Sequence, residues 1–129
     1  MHRHRQRQKR FVVPRQPAEL PYVRACARTI LKRWGMRGTS DDAILIVDEL
    51  VSQVIRRGAG DTVTVDLVHD GDRVEILVGD QEPRPPEPLS AWCGSESDRG
   101  LQIIDAISLD WGVDYGPHGR TVWAELSFA

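Results

Sequence analysis

Apolar residues recur at three- and four-residue steps through the first part of the chain and at alternate positions through most of the rest. In PAELPYVRACARTILKRWG the apolar positions include Leu20, Val23, Ala27, Ile30, Leu31 and Trp34. That is the period of an amphipathic helix, and it predicts one from about Glu19 to Trp34. Gly35 and Gly38 interrupt it. Thr39 or Ser40 then offers an N-cap followed by Asp41 and Asp42, whose carboxylates suit the positive end of a helix, so a second helix is expected to run to about Arg57. Ala43, Ile44, Ile46, Val47, Leu50, Val51, Val54 and Ile55 occupy most of its circumference, which predicts that it is largely buried.

Gly58-Ala59-Gly60-Asp61 closes the second helix, and the period then changes to two. TVTVDLV (Thr62 to Val68) and RVEILV (Arg73 to Val78) flank the turn His69-Asp70-Gly71-Asp72, a hairpin pattern. From Gln81 to Asp98 the chain reads QEPRPPEPLSAWCGSESD, with Pro83, Pro85, Pro86 and Pro88 removing the donors that a helix or ladder needs. A loop this long in a small domain is usually functional or mobile. A short third helix is expected from Gly100 to about Ile107, followed by two closing strands, LDWGVDYG and RTVWAELSF, around Gly116-Pro117-His118-Gly119. Helices grouped between hairpins predict an α+β two-layer sandwich, a mixed or antiparallel sheet covered on one face by helices.

A chain of 129 residues, 40% of them hydrophobic, fits one domain with a single core. Charge divides it unevenly. Arg3, Arg5, Arg7, Lys9 and Arg10 fall in the first ten residues, which leaves a net charge of about −7 on the remainder. Residues 1–13 are therefore expected to be a basic, disordered arm and residues 14–129 the domain, with contact to nucleic acid or an acidic partner as the arm's alternative role. The arm leads into no apolar signal core, and no run of about 18 apolar residues follows, so no membrane segment is expected and a cytoplasmic location is.

Cys26 and Cys93 lack the clustering of a zinc site and are read as reduced thiols, Cys26 in the core. His2, His4, His69 and His118 fall in the tail and in turns, which argues against a Ser-His-Asp or Cys-His catalytic set. Trp111 and Trp123 sit in strand patterns and are expected in the core, whereas Trp92 in the loop is a candidate partner anchor.

Three further segments carry chemistry: DELVSQVIRRG in the second helix, VGDQEPRPP at the end of the second strand, and DRGLQIIDAIS followed by HGRTVW. With the order of elements, they resemble the GHKL, or Bergerat-fold, ATPase and kinase superfamily over about Pro14 to Phe128. Within it, the likeness is to the small bacterial anti-sigma-factor type of serine/threonine kinase. The resemblance implies Glu49 as general base and, at the magnesium-ligand position four residues later, Gln53 where the family carries asparagine. A spacing of four puts both on one helical face, although glutamine carries its carbonyl one methylene further out, and magnesium is exacting at distances of about 2.1 Å. The resemblance further implies Asp80 as the acceptor of the adenine amino group, assisted by Thr121. It assigns Arg99, Gly100 and Leu101 to the phosphates at a helix N-terminus, with Asp98 replacing the family's leading glycine and placing a carboxylate where an anion should bind.

ATP and Mg2+ are thus the implied ligands, weakly held or lost. The implied function is a regulatory protein acting by protein–protein binding in transcriptional control, its partner a sigma factor or an anti-sigma antagonist, with a homodimer in keeping with the family. An active Mg-ATP-dependent protein serine/threonine kinase using Glu49 is the alternative, and a nucleic-acid-binding adaptor acting through the basic arm a further one.

Overall fold

The second helical segment is apolar on nearly every side because it is packed on nearly every side. It forms α2 (Ser40–Arg57), which lies against the preceding helix α1 (Leu20–Arg33), the later helix α3 (Asp98–Ile107) and the sheet. The strands are β1 (Arg7–Pro14), β2 (Thr62–Asp70), β3 (Arg73–Gly79), β4 (Asp110–Gly116) and β5 (Gly119–Ser127), and a single 3-10 turn at Pro17–Glu19 leads into α1. The computed structural model describes residues 6–36, 40–82, 98–117 and 119–127. The prolines of the long loop, Trp92, Cys93, Gly38, Thr39 and His118 lie outside the described residues, as does the side chain of Asp98.

The five strands form one antiparallel sheet in the order β1-β2-β3-β5-β4, and the two-layer α+β architecture expected from the element order holds. Alternation assigns each strand residue to a face. Val63, Val65, Leu67, Val74, Ile76, Val78, Val122, Ala124 and Leu126 face the helices and are buried. Val23, Ala27 and Leu31 of α1, and Ile46, Val47, Leu50, Val51 and Val54 of α2, meet them to make the core. Asp66, Glu75, Leu77, Thr121, Trp123 and Glu125 share the other, open face.

Residues 7–13 depart from the expected arm. They form most of β1, in register with β2 from Arg7↔His69 to Pro14↔Thr62. Val13 is buried on the helix face, while Arg10 donates to Asp66 across the open face at 2.9 Å. The strand is hidden in the sequence because an edge carries a row of charged residues, which blocks pairing with another chain, and proline is tolerated at its end. Two smaller expectations also change. Cys26 is only half-buried, and Trp123 lies on the open face over Gly112, where a Cβ would come within 2.9 Å of its ring. Trp111 does pack against the core.

Candidate functional site beneath the second helix

Glu49 and Gln53 lie one turn apart on α2, on the side that meets α3. Gln53 is fully buried and Glu49 is half-buried. Gly100, in the first turn of α3, is the reason the helices fit. A Cβ there would lie 2.5 Å from Glu49 Oε2 and 3.0 Å from Gln53 Nε2. The structure therefore brings together Glu49, Gln53 and Gly100, three of the residues the sequence singled out. Burial, and next the neighbouring carboxylate of Asp48, push the Glu49 carboxyl above its ordinary range, and Arg56 opposes them.

The other two residues of the expected phosphate group take different positions. Leu101 is 4% exposed and its side chain belongs to the core. Its place follows from helix geometry, since it lies in line with Ile104, which is also buried. Arg99 is exposed.

Asp80 follows β3 at the end of the sheet and is 1% exposed. Both its oxygens are engaged: Oδ2 accepts from the Ala59 amide at 3.1 Å, and Oδ1 from the amides of Glu82 at 3.1 Å and Arg120 at 3.3 Å. The chain turns sharply there. Gln81 has φ of 63°, a left-handed conformation uncommon outside glycine. Gly119, at φ 119°, comes so close that a Cβ would lie 2.5 Å from the Glu82 nitrogen.

Thr121 is not beside Asp80. It pairs with Gly79, and the two occupy the open face, where Thr121 lines a hollow of about 470 Å3 with Arg10, Thr64, Asp66, Leu77, Gly79 and Gln81. Because strand side chains alternate, the β5 residue on Asp80's face is its predecessor, Arg120. Arg120 is 3% exposed and donates from Nη2 to the backbone carbonyl of Arg57 at the end of α2. A buried arginine in a strand that otherwise alternates cleanly was the available signal. Arg15 closes the same helix end from the other side, donating to the carbonyls of Ile55 and Gly60, each at 2.7 Å. Cations suit this end of a helix.

A magnesium ion keeps several waters in its octahedral shell. Among the described residues, Gln53 is fully buried with Gly100 of α3 close against its amide, unlike the open approach that a hydrated ion takes. Among the described residues there is also no group of three or more His, Cys, Asp or Glu side chains able to hold a metal. No helix among them is long and apolar enough to cross a membrane.

An open antiparallel sheet with three helices among the described residues is the architecture of the GHKL ATPase-like class of fold. The family model of the histidine kinase-like ATPase domain matches residues 13–126, and the chain belongs to that family. Among solved structures it is similar to the histidine kinase domain of the blue-light activated histidine kinase from Erythrobacter litoralis EL346, with a TM-score of 0.54 and 19% identity. The match covers 90% of this chain and 62% of that one, so the likeness is one of fold over part of the longer domain. Comparison with curated proteins gives no match.

Proposed function

We propose that this domain acts as a regulatory binding protein of the anti-sigma-factor type, capturing a sigma factor or its antagonist in transcriptional control, and that its ATP binding is weakened or lost. The observation that carries this reading is the burial of Gln53 beneath the first turn of α3, with Gly100 set against Glu49 and Gln53. A domain retaining the fold and its core while closing the metal-ligand position keeps what partner binding needs and gives up what phosphoryl transfer needs.

One observation favours a second reading, the active serine/threonine kinase. Glu49 is retained and its carboxyl is shifted upward, the direction that suits a general base near neutral pH. Calorimetric titration with Mg-ATP separates the two. The regulatory reading expects no binding at micromolar nucleotide, and magnesium-dependent micromolar affinity would replace it with the kinase.

A further inference from the structure

We infer that Arg120 fills the base subsite of this domain, its guanidinium standing where the fold would otherwise receive a purine. The inference deepens the regulatory reading and rests on it, but it comes from the opposite end of the site. The closure at Gln53 concerns metal and phosphate, whereas Arg120 concerns the base.

A base recognised by Asp80 must lie on Asp80's side of the sheet, in the gap between the strand ends and the C-terminal turn of α2. That gap is the path Arg120 takes. The side chain leaves β5 on the helix face and reaches the carbonyl of Arg57, so it spans from sheet to helix, and it is 3% exposed along the way. Asp80 beside it is 1% exposed and accepts three backbone amides, one of them from Arg120 itself. A buried guanidinium is stable only with hydrogen-bond acceptors about it. The α2 terminus supplies one in a region of partial negative charge, which holds the plug in place. A neutral purine has no comparable claim on that carbonyl.

The test replaces Arg120 and measures ADP and GDP affinity by calorimetry, with circular dichroism to establish that each variant is folded. Removing a cation weakens anion binding in general, so a gain in affinity for ADP runs against the charge effect and reports the opened pocket. Arg120→Thr is expected to bind ADP at least tenfold more tightly than the wild type and to prefer it to GDP. Arg120→Gln, which keeps an amide donor for the Arg57 carbonyl, is expected to gain less. A folded Arg120→Thr with no gain, or with equal gain for both nucleotides, overturns the plug and leaves the regulatory reading standing. Micromolar ADP binding by the wild type overturns the reading itself. Loss of fold in both variants would make Arg120 a structural support and also overturn the proposal.

Discussion

Asp80 and Arg120 hold each other twice: the Asp80 amide donates to the Arg120 carbonyl at 3.3 Å, and the Arg120 amide donates to Asp80 Oδ1 at 3.3 Å. With the amides of Ala59 and Glu82 on the same carboxylate, one side chain fastens β3, β5 and the end of α2. Asp80→Ala strands three amide donors at a site only 1% exposed. Unfolding in guanidinium chloride is expected to show a loss of about 3–5 kcal/mol. A loss below about 1 kcal/mol would mean that the three bonds are not holding the junction.

Gly119→Ala meets two obstacles. Its φ of 119° is a conformation that L side chains rarely adopt, and the new Cβ would press on the backbone of Gln81 and Glu82, which cannot swing aside as a side chain can. The expected cost is about 2–4 kcal/mol in a thermal or chemical melt. Stability equal to wild type would show that the strand ends are further apart than described.

Glu49 makes stability depend on pH in a definite direction. Burial raises its carboxyl in the folded state, so between the unfolded value near 4.5 and the raised folded value the native protein binds more protons than the unfolded chain. That contribution to stability is present below the window and falls away as pH rises through it. Glu49→Gln removes the effect. Urea melts should therefore find the variant more stable than wild type at pH 7, with the advantage shrinking toward pH 4. A constant difference across that range would contradict the assignment to Glu49.

Thr121→Val separates the two faces of the sheet. On the open face the change keeps size and suits a strand, so stability should shift by no more than about 0.5 kcal/mol. The proposed gain of ADP affinity in Arg120→Thr should be undiminished when the change is added. A large loss in either measurement would return Thr121 to the pocket.

The helices were legible because their apolar stripes are continuous. The pattern placed the second helix from Thr39 or Ser40 to Arg57, and α2 runs from Ser40 to Arg57. The third was expected from Gly100 and begins two residues earlier, at Asp98, since a polar first turn gives no periodic signal. β1 was illegible over Arg7 to Arg10 because nothing apolar marks an edge strand whose exposed positions are charged. At the site, the pattern put Glu49 and Gln53 on one face of α2 and Asp80 just after β3, where they lie, but only the arrival of α3 decides that Gln53 is covered. Thr121 lies on the open face while its neighbour Arg120 shares Asp80's face, and in a strand one residue is the whole difference between the two.

Arg15 follows the first strand and Arg120 lies at the start of the last, yet both reach carbonyls in the final turn of α2, those of Ile55 and Arg57. During synthesis α2 emerges with Arg15 already made and Arg120 still about sixty residues away, so its final turn has one of its two clasps long before the other. The end of α2 thus depends on a residue made about sixty positions after it, so a chain cut short before the last strand would leave that turn with Arg15 alone.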